Sequence, residues 1–135
     1  LPVKSKKTKV TNRYLNYLIL KDSDSNYIVQ KREGKGIWEN LYEFPLMETD
    51  ELVSELDFMN QLAEMDFFNQ KPTEFFVLNS QIIQHKLSHQ NLYIRFFQLN
   101  FDVKLPDSKT LTEIKKLPFP IVIHNFMASN YFNSL

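Results

Sequence analysis

Apolar residues along the chain fall into short dense runs separated by polar clusters, a rhythm of strands interrupted by helices. Tyr14 to Leu20, broken only by Asn16, predicts a buried strand. The cluster Asp22-Ser23-Asp24-Ser25-Asn26 predicts a turn, and Tyr27 to Lys31 the returning strand of a hairpin. Gly34 and Gly36 are the only glycines and share one loop after Lys31, where the backbone is expected to need unusual dihedrals. Leu41-Tyr42-Glu43-Phe44-Pro45 reads as a short strand ending at the proline. Leu52, Val53, Leu56, Met59, Leu62 and Ala63 recur at helical spacing. They predict an amphipathic helix over Thr49 to Phe67, capped by Thr49 or Asp50 with acids in its first turn. Phe75 to Gln84 and Leu92 to Val103 read as the two strands of a second hairpin. Thr110 to Lys116 predicts a short helix capped by Ser108 or Thr110. Pro118 and Pro120 break the chain, and Ile121 to Phe132 predicts a terminal helix. Trp38, Tyr42, Phe44, Phe96 and Phe97 are candidate core residues by their alternating placement. Strands flanking an amphipathic helix, with further helix at the end, imply an α+β or layered α/β domain around a mixed sheet flanked by helices.

Composition narrows this picture. A chain of 135 residues with 43% hydrophobic residues and twelve Phe is sized for one domain with one real core. The formal net charge of zero hides a segregation. Lys4, Lys6, Lys7, Lys9 and Arg13 lie in a stretch without acids, whereas every charged residue from Glu39 to Asp66 is an acid. We read residues 1–12 as the end of a basic interdomain linker and 13–135 as the folded domain. Without cysteine there is no disulfide framework, thiolate zinc site or iron–sulfur cluster within this sequence. That composition fits an intracellular protein. No apolar run reaches the ~20 residues that span a bilayer, so no membrane association is expected. The first residue is Leu1 rather than Met, and a longer protein is expected around this sequence.

Two segments carry candidate chemistry. The first is Gly36-Ile37-Trp38-Glu39-Asn40-Leu41-Tyr42-Glu43-Phe44-Pro45, followed by the acidic helix. It resembles the approach to the catalytic helix of the Nudix superfamily, whose helix face gathers carboxylates around magnesium on a diphosphate. Here Leu46-Met47 replaces the superfamily's glycine pair, and the helix has no Arg and no adjacent glutamate pair. Glu51 and Glu55 share a face, as a solvated helix surface also would. The second segment is His85-Lys86-Leu87-Ser88-His89. His85 and His89 have the spacing of a helical zinc motif, but the helix and the intervening Glu are missing, so no metal is expected. The plain reading is a hairpin connection with polar residues at its tip.

A strand, then Leu87-Ser88-His89, then the aromatic-rich Leu92-Tyr93-Ile94-Arg95-Phe96-Phe97 resembles a segment of MutY-type adenine DNA glycosylases. That segment carries a Phe-Ser-His loop that contacts the lesion. Leu1-Pro2-Val3-Lys4 with the lysines after it is similar to the linker entering the C-terminal domain of that family, and Leu117-Pro118-Phe119-Pro120 to a late element of it. The resemblance implies a Nudix-like lesion-recognition domain that is not itself catalytic. It would help select 8-oxoguanine:adenine mispairs during base excision repair. The implied partners are double-stranded DNA holding that mispair and an N-terminal catalytic domain of the same protein. That domain lies outside this sequence and would carry a 4Fe-4S cluster; no cofactor is implied for the present domain. A monomer is expected, in the cytoplasm or nucleoid if the protein is bacterial.

The resemblance assigns Leu87, Ser88 and His89 to the lesion. 8-Oxoguanine differs from guanine by a donor at N7 and an acceptor oxygen at C8, and its syn form turns the 2-amino group toward the major groove. The Ser88 hydroxyl can donate or accept, and neutral His89 offers one of each. Leu87 stands where the family has Phe, and reads either as an apolar wedge or as a hairpin core residue. Arg32, Lys35 and Lys86 are candidate phosphate contacts. Two other functions compete: an active Nudix hydrolase acting on nucleoside diphosphate derivatives, and a protein-interaction module using the acidic helix.

Overall fold

The computed structural model describes residues 9–79, 81–129 and Phe132. Most of the linker expected over 1–12 lies outside the described residues. The central strand is β1, Thr11–Lys21, flanked by an antiparallel and a parallel neighbour. β2 (Gln30–Lys31) and β3 (Tyr42–Glu43) form a separate two-stranded sheet. β4 (Leu46–Thr49) is the antiparallel neighbour of β1. β7 (Gln90–Asn100) is the parallel one, in register from Thr11↔Gln90 to Lys21↔Asn100. β5 (Glu74–Val77) and β6 (Ile83–Lys86) share the far edge of β7, both antiparallel to it. Three helices complete the chain: α1 (Glu55–Ala63), α2 (Leu111–Ile114) and α3 (Ile121–Met127).

Alternation along β1 and β7 sorts the core into two layers. Leu15, Tyr17, Ile19, Leu92, Ile94 and Phe96 face α2 and α3. There Phe96 stacks on Phe126 with centroids 3.7 Å apart. Leu18, Leu20, Phe97 and Leu99 face α1, where Phe58 meets Phe97 at 4.6 Å. A mixed sheet flanked by helices is thus the expected α+β architecture. Phe44, Phe96 and Phe97 are fully buried as expected, whereas Trp38 and Tyr42 are half-buried.

The local structure differs from the expectation in several places. β1 does not form a hairpin with residues 27–31. Only the bridge Lys21↔Tyr27 joins them, because β4 and β7 occupy both edges of β1. Pro45 does not end the strand region; its carbonyl accepts from the Leu18 amide at 2.8 Å and β4 follows. The helix expected over Thr49 to Phe67 is shorter and differently phased. Thr49 belongs to β4, and Ser54 caps α1 by accepting from the Asp57 amide. The buried face is then Phe58 and Leu62, while Leu56 stays 70% exposed.

The strand expected over Phe75 to Gln84 is divided into β5 and β6. Asn79 occupies the gap and completes the β7 ladder with its side chain. Its Nδ2 donates to the Ile94 carbonyl at 3.1 Å, and its Oδ1 accepts from the Phe96 amide at 2.7 Å. Helix α2 starts at Thr110 with a reciprocal capping box to Glu113. Ser108, the other candidate cap, instead donates to Asp22 Oδ2 at 2.6 Å. Helix α3 ends at Met127 with Ala128 as its C-cap, short of the Phe132 expected, and residues 130 and 131 lie outside the described residues.

Candidate nucleic-acid interface

The β6–β7 hairpin turns at Leu87-Ser88-His89-Gln90. Lys86 pairs with Asn91, and the Leu87 amide donates to the Gln90 carbonyl at 2.8 Å. Ser88 and His89 remain as a two-residue loop, and both are exposed. The Thr11 amide donates to the His89 carbonyl at 3.0 Å, which ties the tip to the start of the central strand. Leu87 is half-buried and packs on the cluster that includes Leu92 and Ile94, rooting the turn in the core. The loop therefore sits on a fixed support and presents a hydroxyl and an imidazole outward.

Lys86 is exposed on one side of β6. His85, on the other side, is half-buried with its ring tilted against Trp38 at a centroid distance of 6.2 Å. This contact brings the loop after β2 alongside the hairpin. The loop turns through left-handed residues at Gly34 (φ 84°), Gly36 (φ 145°), Trp38 (φ 58°) and Asn40 (φ 66°). Left-handed backbone suits glycine and is costly for a bulky residue such as Trp38. Lys35, between the glycines, is exposed.

Arg32 is engaged within the protein. Its Nη1 donates to Glu43 Oε1 at 2.8 Å and its Nε to the Ile37 carbonyl at 3.2 Å, leaving Nη2 outside these bonds. Glu43 is 3% exposed and also accepts from the Tyr17 hydroxyl at 3.1 Å and from Gln30 Nε2 at 3.0 Å. Burial, with the Glu43 carboxylate beside it, pushes the Tyr17 phenol up, so it remains a donor. Sequence reasoning missed this centre. The available signal was an acid between two aromatics in a short strand, an inward position where a charge needs partners. The carboxylates of α1 are dispersed. Among the described residues, no three His, Asp or Glu side chains lie close enough to hold a metal ion.

Among solved structures, the chain resembles the C-terminal domain of mouse MUTYH in complex with human PCNA. The TM-score is 0.63 at 14% identity, covering 86% of this chain and 85% of that one. It also resembles a MutT protein from Methanosarcina mazei Go1, with TM-score 0.60 at 13% identity over 93% of this chain and 96% of that one. A third likeness is to a MutT structure from a study of Aliivibrio salmonicida and Vibrio cholerae, with TM-score 0.56 at 14% identity over 93% and 100% of the two chains. At these identities the structural likeness concerns the fold. Residues 16–129, nearly the whole folded part, match the family described as the NUDIX domain, and the chain belongs to that family.

Proposed function

We propose that this chain is the lesion-recognition domain of a MutY-type adenine DNA glycosylase and helps select 8-oxoguanine:adenine mispairs. The observation that carries the reading is the exposed Ser88–His89 pair on a hairpin tip rooted by Leu87 and tied to β1. A rotating serine hydroxyl discriminates poorly alone, because it can also donate to N7 of guanine. Beside it, His89 and the fixed backbone groups of the turn supply a donor and an acceptor for the altered edge. Lys35 and Lys86, both exposed, and the outer nitrogen of Arg32 are the proposed phosphate contacts. Phosphates would set register, and base contacts would carry the choice. Excision of adenine would belong to an N-terminal catalytic domain with its 4Fe-4S cluster, and the present domain would be a non-catalytic part of the same intracellular protein.

The test is adenine excision by the full-length protein carrying Ser88→Ala and His89→Ala. Preference for 8-oxoguanine:adenine over guanine:adenine should fall while basal excision persists, and an unchanged preference would count against the reading. The MutT likenesses favour a second reading, a magnesium-dependent hydrolase of nucleoside diphosphate derivatives. Turnover of oxidised or normal nucleotides above blank by the purified chain would establish it.

A further inference from the structure

Helix α1 covers only part of its side of the sheet. Phe58 rests on Phe97, and the guanidinium of Arg95 lies 5.8 Å from the Phe58 ring, marking where the helix begins to cover β7. From Arg95 toward the hairpin tip the same side lies open. The pairing of Tyr14 with Tyr93 and of Gln84 with Tyr93 brings four kinds of side chain together there. Asn12 and Tyr14 come from β1, Asn91 and Tyr93 from β7, Gln84 and Lys86 from β6. Asn12, Gln84 and Lys86 are exposed, and Tyr14, Asn91 and Tyr93 are half-buried. Tyr14 and Tyr93 stack at 5.2 Å, which fixes both rings, and Asn91 Nδ2 donates to Asn12 Oδ1 at 3.2 Å. Among the described residues, the two phenol hydroxyls, the Gln84 amide and the Lys86 ammonium have no hydrogen-bond partner.

We infer that this open half-face is a platform for the sugar–phosphate backbone of the DNA whose bases the tip contacts. The inference rests on the proposed function and extends it. Its six residues contribute amide, phenol and ammonium donors and no acid, which is what phosphate oxygens need. Acids border the face on the β4 side, at Asp50 and Glu51, so the backbone runs over β6, β7 and the start of β1. Lys86 adjoins Leu87, so platform and tip are continuous. Such contacts hold the duplex without reading its sequence, and leave selection to Ser88 and His89.

The test compares binding of this chain to matched fluorescent duplexes holding 8-oxoguanine:adenine or guanine:adenine. Gln84→Ala, Asn91→Ala and Tyr93→Phe together should weaken both duplexes by roughly tenfold or more, since each lost hydrogen bond is worth about 2- to 10-fold. The ratio between duplexes should not change. Unchanged affinity in this variant overturns the platform, even where Ser88→Ala with His89→Ala abolishes the ratio and so sustains the functional reading. A ratio insensitive to the tip pair overturns that reading instead, and a chain that binds neither duplex overturns both. Amide chemical shifts of the unsubstituted chain give an independent measure. Changes should reach Asn12, Tyr14, Gln84, Asn91 and Tyr93 on adding duplex, and changes confined to Ser88 and His89 would overturn the platform.

Discussion

Ser88 and His89 owe their position to residues packed behind them. Leu87 anchors the turn, and Asn79 keeps β7 hydrogen-bonded where β5 gives way to β6. The tip itself was legible in sequence, as polar residues between two apolar runs. The partnership of Arg32 with Glu43 was not, because residue types along a strand do not disclose which loop folds back over it. The consequence is testable. Glu43→Ala should lower stability in urea unfolding by about 3 kcal/mol, since it strands a half-buried cation and two further donors. Asp22 is a second hub. Burial opposes its ionisation, but hydrogen bonds from Ser108 and from the Asn26, Leu105 and Asp24 amides outweigh it and hold the carboxyl below its usual value. Its stabilising effect is therefore full above the unfolded-state pKa of about 3.9 and lost as pH falls through the lower folded value. Asp22→Asn should destabilise by about 2 kcal/mol at pH 7, and by clearly less at pH 3.

Among the elements, α1 shows where pattern reading reaches its limit. Its apolar period was visible, but the phase depended on which residue caps the helix. Thr49 and Asp50 look like good caps, yet Thr49 is drawn into β4 by pairing with Tyr14, and Ser54 takes the role. Tertiary pairing overrode a local signal, and the inward face passed to Phe58 and Leu62. Phe58→Ala should accordingly cost about 3–5 kcal/mol in chemical denaturation. Leu56→Ser, at a position the sequence pattern alone would bury, should change stability by no more than about 0.5 kcal/mol. Equal costs for the two would restore the phase read from sequence. For α2 the sequence narrowed the cap to Ser108 or Thr110, and the reciprocal bonds with Glu113 select Thr110.

At the scale of the whole molecule, a mixed sheet with helices around it followed from the order of apolar runs, and the choice of α+β came with the resemblance. The in-register parallel pairing of β1 with β7 did not, because the strands lie far apart in sequence and only the closed core selects their alignment. That pairing brings the start of β1 to the hairpin tip and leaves the adjoining half-face open. Segregated charge has a place in this layout, with acids along β4 and α1 and exposed Lys35 and Lys86 on the loop and hairpin. Lys35→Gln and Lys86→Gln should each lower the slope of log affinity against log salt by about 0.9, and by similar amounts on any duplex sequence. The central claim is that the Ser88–His89 tip recognises an oxidised purine. Its most direct test is the affinity ratio of this chain for 8-oxoguanine:adenine over guanine:adenine duplexes, with and without Ser88→Ala and His89→Ala. The account predicts a ratio worth about 1–3 kcal/mol that falls sharply in the double variant, with any remainder carried by the backbone groups of the turn. A ratio of one in the unsubstituted chain, or a ratio the substitutions leave intact, would contradict it.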